Sequence, residues 1–147
     1  MSKNVLVIGT GTIGEPLIGL LADHKDSLGL DNVMFFKRTP LSDERGKVES
    51  LIRKGAKIVS TADALKEFHQ LGFSDAKDVE QAYDESDVII DCTPSGNDNW
   101  DNIYSSLDQK KRFMAQGSEH GFGSFFAWGI NNAVSYTHLT LPTTLTV

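Results

Sequence analysis

Three glycines near the amino terminus constrain the fold of this chain more than any other feature. Residues 5–8 form an unbroken apolar run, which is typical of a strand buried on both faces of a parallel sheet. Gly9, Gly11 and Gly14 follow at once, and apolar residues then recur at helical spacing. The pattern predicts a strand, a glycine-rich turn and a helix, in that order.

In this order of elements, three glycines at this spacing favour binding of a dinucleotide. Gly9 allows the tight turn, Gly11 lets backbone amides approach a pyrophosphate, and Gly14 lets the helix pack closely on the strand. The start of the helix adds unpaired N–H groups and the positive end of its dipole. An ordinary glycine-rich turn is the alternative, but the strand before it and the helix after it favour nucleotide binding.

Length and charge limit the classes of protein to consider. The 147 residues fit one domain, and a formal charge of −6 without a Lys/Arg-rich stripe argues against nucleic-acid or membrane partners. A lone cysteine cannot build a disulfide framework, and no charged-then-apolar leader precedes the first strand. No apolar run approaches the roughly 20 residues of a membrane span. We therefore expect a cytoplasmic protein.

Apolar runs alternate with helical segments along the rest of the chain. The runs predict strands at residues 33–36, 57–60, 88–90 and 112–116, and helices at residues 42–55, 61–72 and 100–107, with a loosely helical acidic stretch at 73–87. This alternation predicts an α/β fold of the Rossmann type, with a doubly wound, mostly parallel sheet and helices on both faces.

The second predicted strand ends in cations at the position that sets cofactor preference. A carboxylate about 20 residues beyond the glycines holds the ribose 2′-hydroxyl of NAD, whereas an Arg nearby accommodates the 2′-phosphate of NADP. Lys37, Arg38 and Thr39 follow the strand, and no carboxylate does. We predict NADP as the preferred cofactor, with NAD as the second. The alternative is that the two cations solvate a loop.

Two later strand ends supply further candidate contacts with the cofactor. Loops at the ends of strands in a doubly wound sheet hold cofactors, which makes Thr93, Pro94 and Gly96 candidates. Gln116 and Gly117 begin a second polar, glycine-rich segment after a strand that runs in the same direction. The sequence thus predicts a single crevice at one edge of the sheet.

The residues that most often carry catalysis or bind metals do not form a pattern here. Cys92 lies beside a buried strand with no His at a telling spacing, which favours a packed apolar role over a nucleophile. His24 and His69 have no second ligand at helical spacing, and we interpret both as solvated. Glu119 and His120 are neighbours on an extended segment, so their side chains point to opposite sides. We predict no catalytic residue and no metal ligand.

Four motifs follow one another along the chain: Gly-Thr-Gly-Thr-Ile-Gly at 9–14, Lys-Arg-Thr-Pro at 37–40, Ser-Asp-Val-Ile-Ile-Asp-Cys-Thr-Pro-Ser-Gly at 86–96 and Gln-Gly-Ser-Glu at 116–119. In this order they resemble the N-terminal domain of archaeal-type (type II) glyceraldehyde-3-phosphate dehydrogenase. The resemblance covers most of residues 3–133. It implies that Thr12 and Ile13 contact the cofactor pyrophosphate through their backbones and that Gly117 lines the cofactor site. It also matches residues 37–39 to a basic loop on the adenosine side.

The resemblance implies an NAD(P)-dependent, phosphorylating aldehyde dehydrogenase of glycolysis or gluconeogenesis, homotetrameric at full length. In the whole enzyme a thiolate attacks glyceraldehyde 3-phosphate, hydride passes to the nicotinamide, and inorganic phosphate releases the acyl group. The family's catalytic cysteine lies just past this domain in a Ser-Cys-Asn-Thr segment, which the 147 residues lack. We therefore expect this chain to place the cofactor and to be inactive without the catalytic domain.

Other functions remain open at this point. Ile8, Thr10, Glu15 and Ser118 stand where the family usually has Asn, an aromatic residue, a basic residue and Gly. A semialdehyde dehydrogenase or a dihydrodipicolinate-type reductase would share this front half. A stand-alone nucleotide-binding regulatory module would share it as well.

Residues 135–147 differ in composition from the rest of the chain. They are crowded with Thr and Leu, contain no Asp, Glu, Lys or Arg, and resemble the translation of a sequencing adapter. We therefore predict an NAD(P)-binding domain at 1–134 and a non-native tail at 135–147. The alternative is a genuine edge strand, which the β-branched residues suit.

Overall fold

The structure is a computed structural model that describes residues 3–40, 42–116, 124–125, 127 and 144–146. The strands are β1 (Asn4–Ile8), β2 (Asn32–Phe36), β3 (Lys57–Ser60), β4 (Lys77–Asp78), β5 (Val88–Asp91), β6 (Arg112–Ala115), β7 (Ser124–Phe125) and β8 (Thr144–Thr146). The helices are α1 (Gly14–Asp23), α2 (Arg45–Arg53), α3 (Ala62–Gln70), α4 (Val79–Glu85) and α5 (Gly96–Asn102), with 3-10 turns at Ser42–Glu44 and Tyr104–Ser106.

The strands pair in the order β4-β3-β2-β1-β5-β6-β8-β7, and each described pair is parallel. The chain builds outwards from β1 through β2 and β3 to β4, and then returns to place β5 on the other side of β1. This reversal puts the topological switch point between β1 and β5, where α/β sheets of this kind bind ligands at the carboxyl ends of the strands. The predicted α/β, Rossmann-type fold is confirmed.

Side chains of the central strands alternate between two apolar cores, one on each face of the sheet. Val5 and Val7 of β1 pack in a core with residues of α1, α2 and α3. Leu6 and Ile8 pack in a second core with residues of α4 and the turn at Tyr104–Ser106. Because successive side chains of a strand point to opposite faces, an unbroken apolar run is what a doubly covered strand needs. Helices therefore lie on both faces, as predicted.

The acidic stretch at 73–87 contains a strand that we did not predict. β4 has two polar residues and adds to the edge of the sheet beside β3, so it carries no apolar period that could identify it. Its last residue, Asp78, is also the N-cap of α4, and its carboxylate accepts a hydrogen bond of 2.8 Å from the N–H of Glu80.

The helix predicted at 100–107 is two elements. α5 already begins at Gly96 and ends at Asn102, after which Ile103 leaves helical geometry with φ −128° and ψ −65° and a 3-10 turn follows.

Within the described residues, no helix is both long enough and apolar enough to cross a membrane.

Two short strands continue the sheet past β6. β8 pairs with β6, and β7 pairs with β8. The non-native origin of residues 135–147 and the domain boundary at residue 134 stay predictions.

Candidate nucleotide-binding site

The turn between β1 and α1 brings the backbones of two glycines into close contact. Gly9 has φ 103°, a left-handed value that residues with a Cβ rarely adopt. A Cβ on Gly14 would stand 1.9 Å from the carbonyl oxygen of Gly9, so α1 can approach β1 this closely only through a glycine. This geometry is the one that a tight turn and close helix packing require in a dinucleotide-binding unit.

The same turn presents backbone donors that have no acceptor among the described residues. They are the N–H groups of Gly11, Thr12, Ile13 and Gly14, whereas Glu15 makes the first helical bond, to the carbonyl of Gly11 at 3.0 Å. A Cβ on Gly11 would meet no atom within 4 Å, so the approach to this turn is open. Free amides at the positive end of a helix favour an anion, and a pyrophosphate fits them.

A cleft of about 580 Å³ opens beside this turn, at the carboxyl ends of β1, β2, β3 and β5. The predicted contacts that line it are Gly9, Lys37, Arg38, Thr39 and Thr93. The predicted contacts outside its lining are Gly11, Thr12, Ile13, Gly14, Pro94, Gly96 and Gln116, while Gly117 lies outside the described residues. The structure thus brings predicted contacts from the ends of β1, β2 and β5 together in one crevice.

The three contacts that follow β5 and β6 but lie outside the lining have different surroundings. Pro94 is exposed in the turn after β5, and Gly96 is buried as the first residue of α5. Gln116 is half-buried, and its N–H donates to the carbonyl of Asp91 at 3.1 Å.

A larger cavity, of about 700 Å³, lies at the opposite edge of the sheet. Its lining includes Lys57 and Lys77, the first residues of β3 and β4, and none of the predicted contacts. Ligands of doubly wound sheets bind at the carboxyl ends of the strands, so we take the smaller cleft as the candidate site.

Lys37 is buried at the mouth of the cleft rather than solvated. Its N–H donates to the carbonyl of Val59 at 3.0 Å, and its carbonyl accepts a 2.7 Å hydrogen bond from the Ser60 hydroxyl. Its ammonium forms an ion pair with Glu44, in the 3-10 turn before α2. Lys37 is therefore buried and ion-paired, whereas the assignment of Lys37 and Arg38 to a cofactor stays a prediction.

Arg38 differs from its neighbour in both exposure and partners. Its guanidinium is exposed at the cleft and makes no hydrogen bond or ion pair with any residue that the structure describes. Thr39 is exposed beside it. A free guanidinium next to a hydroxyl fits a phosphate group, which Arg can bind with two parallel hydrogen bonds.

A chain of ion pairs runs from Lys37 to the start of α1. The second carboxylate oxygen of Glu44 lies 3.8 Å from the ammonium of Lys47, which lies 3.1 Å from Glu15. The hydrogen bond from Lys37 holds the pKa of Glu44 below its ordinary value, and the bond to Glu15 raises the pKa of Lys47. These ion pairs thus link the residue after β2 to the first turn of α1.

Asp91, which the sequence analysis did not single out, fixes the floor of the cleft. This residue ends β5, is completely buried, and accepts hydrogen bonds from the N–H (2.8 Å) and hydroxyl (2.6 Å) of Thr93. Its other oxygen accepts from Asn99 at 2.8 Å and from the Tyr104 hydroxyl at 2.6 Å. The three donor residues line the cleft. An Asp that directly ends an apolar strand was the available signal, because a buried carboxylate needs donors around it.

Cys92 has the environment of a packed residue rather than of a nucleophile. Burial and the nearby Asp91 raise the pKa of its thiol to about 11. The reactive thiolate is therefore scarce at neutral pH. No group of three or more His, Cys, Asp or Glu residues in the described part of the chain is placed to hold a metal ion.

The fold and this site define a Rossmann-like nucleotide-binding domain. Comparison with curated proteins gives relatives named glyceraldehyde-3-phosphate dehydrogenase. One from Pyrobaculum calidifontis is 32% identical over 115 residues, which are 77% of this chain and 31% of the relative. Relatives from Sulfolobus acidocaldarius (29% over 116 residues, 78% and 31%) and Methanothermus fervidus (30% over 97 residues, 64% and 26%) agree. No protein-family model matches the chain.

This chain is a nucleotide-binding domain homologous to the archaeal glyceraldehyde-3-phosphate dehydrogenases. The resemblance that the four motifs indicated is therefore confirmed. The chain spans about a third of the length of the curated relatives it matches, 31% in the first two.

Proposed function

We propose that this chain is the cofactor-binding part of a phosphorylating glyceraldehyde-3-phosphate dehydrogenase and that it binds NADP in preference to NAD. The observation that carries the proposal is the turn in which Gly14 packs on the carbonyl of Gly9 and four amides have no acceptor among the described residues. These amides would hold the pyrophosphate. Arg38 and Thr39, at the end of β2, would hold the 2′-phosphate.

In this role the chain binds and orients the cofactor, which itself supplies the hydride chemistry. The rest of the dinucleotide would extend past the ends of β5 and β6, on the other side of β1. The predicted contacts that follow these two strands in sequence are Thr93, Pro94, Gly96, Gln116 and Gly117. The thiol nucleophile and the site for the phosphorylated aldehyde would come from the rest of a cytoplasmic, homotetrameric enzyme.

Calorimetric titration with NADP⁺ and NAD⁺ tests the cofactor assignment. A charge-assisted hydrogen bond contributes about 1.5 to 3 kcal/mol, so Arg38→Ala should weaken NADP⁺ binding at least about tenfold and leave NAD⁺ binding nearly unchanged. Lys37→Ala with Arg38→Ala should lower the NADP⁺ preference as well. Arg53→Ala is the matched control, because this exposed arginine lies in the last turn of α2 and outside the cleft. An unchanged affinity ratio in both Arg38 variants would contradict the proposal.

The enzyme assignment has a separate test in the source DNA. A long, single-molecule read across codon 130 should show an open frame that encodes Ser-Cys-Asn-Thr soon after Asn132. A frame that closes at Val147 would instead favour a stand-alone nucleotide-binding module over the dehydrogenase.

A further inference from the structure

Glu44 forms an ion pair with Lys37, a cation that a cofactor in the cleft would otherwise contact. Lys37 lines the cleft, yet its ammonium is paired with one carboxylate oxygen of Glu44. The side chain of Lys37 is only 8% exposed and that of Glu44 is 30% exposed, so water screens this pair incompletely. A phosphate that approaches Lys37 would have to displace this carboxylate.

The carboxylate of Glu44 is also held from its other side. Lys47 lies 3.8 Å from its second oxygen and 3.1 Å from Glu15, in the first turn of α1. Two elements thus fix Glu44 next to Lys37, whereas Arg38 has no ion-pair partner in the part of the chain that the structure describes. The two cations at the end of β2 are therefore unequal in their availability to a ligand.

We propose that Glu44 is a coenzyme-specificity residue. By pairing with Lys37, it withholds that ammonium from the 2′-phosphate of NADP and leaves the discrimination to Arg38. This inference rests on the proposed function and refines it, because it gives a modest NADP preference where two free cations would give a strong one.

The test compares Glu44→Gln with the wild-type chain by titration with NADP⁺ and NAD⁺. The amide has the size of the carboxylate without its charge, so it releases the ammonium of Lys37 for the phosphate. We expect the ratio of NADP⁺ to NAD⁺ affinity to rise about tenfold, the equivalent of one charge-assisted hydrogen bond. Glu49→Gln is the matched control, since Glu49 pairs with exposed Arg45 on α2, at 2.6 Å. That control should leave the ratio unchanged.

A double variant shows whether the gain passes through Lys37. Glu44→Gln combined with Lys37→Ala should lose the increase that Glu44→Gln produces, and circular dichroism should show that each variant is folded. A ratio in Glu44→Gln no higher than in Glu49→Gln overturns the proposal, and so does a gain that survives in the double variant. If the wild-type chain binds neither dinucleotide, the proposed function fails first and the role of Glu44 with it.

Discussion

Replacing Gly14 with Ala tests whether close packing at the first turn of α1 holds this domain together. The new Cβ would stand 1.9 Å from the carbonyl oxygen of Gly9 and 2.8 Å from its carbonyl carbon, so α1 and β1 would have to separate by about 1 Å. Alanine gains about 1 kcal/mol of helix propensity over glycine, but overpacking against backbone, which cannot rotate away, costs about 3 kcal/mol. We expect a net loss of about 2 kcal/mol in the free energy of unfolding, or roughly 6 °C in the melting temperature.

Urea denaturation followed by circular dichroism measures this loss. Gly46→Ala is the control, because Gly46 lies in α2 and a Cβ there would meet no atom within 4 Å. This control should stabilise the chain by about 0.5 to 1 kcal/mol through the same propensity. If Gly14→Ala proves as stable as Gly46→Ala, the close approach of α1 to β1 is not the constraint that we infer. Gly14→Ala should also weaken nucleotide binding, since it displaces the backbone amides of the turn.

Two further predictions concern the floor of the cleft. Asp91→Asn sets an amide against buried donors and should lower the free energy of unfolding by on the order of 3 kcal/mol. Tyr104→Phe removes the hydrogen bond to Asp91 and should cost about half as much. A reversed order of these two losses in urea denaturation would contradict the network. Tyr83 of α4 also lines the cleft. Burial raises the pKa of its hydroxyl from 10 to about 12, so the unfolded chain loses this proton at lower pH than the folded chain. The contribution of this proton to the free energy of unfolding should therefore be fully present below pH 10 and be lost as the pH rises towards 12. Urea midpoints that stay constant between pH 9 and pH 11 would exclude this linkage.

Local patterns were sufficient to predict the centre of the fold. The run at 5–8, the three glycines and the helical period after them lie within some 20 consecutive residues, and the structure forms β1, a turn and α1 there. The apolar runs at 33–36, 57–60 and 88–90 likewise became β2, β3 and β5. Each of these elements is marked by an apolar run or a helical period in its own residues, and such local patterns can be recognised in a sequence.

Contacts between distant segments could not be predicted in this way. Glu44 meets Lys37 across a proline-containing loop, and Asp91 meets Tyr104 across the whole of α5. No spacing rule connects these pairs, because the fold brings them together rather than a helical or strand period. The two cations after β2 therefore looked equivalent in sequence, whereas the structure buries one and exposes the other.

The position of β1 between β2 and β5 has a consequence for how the chain acquires its structure. The N–H of Asn4 donates to the carboxylate of Asp87, and 83 residues separate the two partners. To form contacts this remote in sequence, the chain must first lose the conformational entropy of a long loop, and the contacts stabilise it only afterwards. Sheets of this topology therefore fold slowly. During synthesis, the edge of β1 that pairs with β5 stays unpaired until β5 has left the ribosome. An open apolar edge is prone to association with other chains, so this interval is when the nascent protein most needs protection from aggregation.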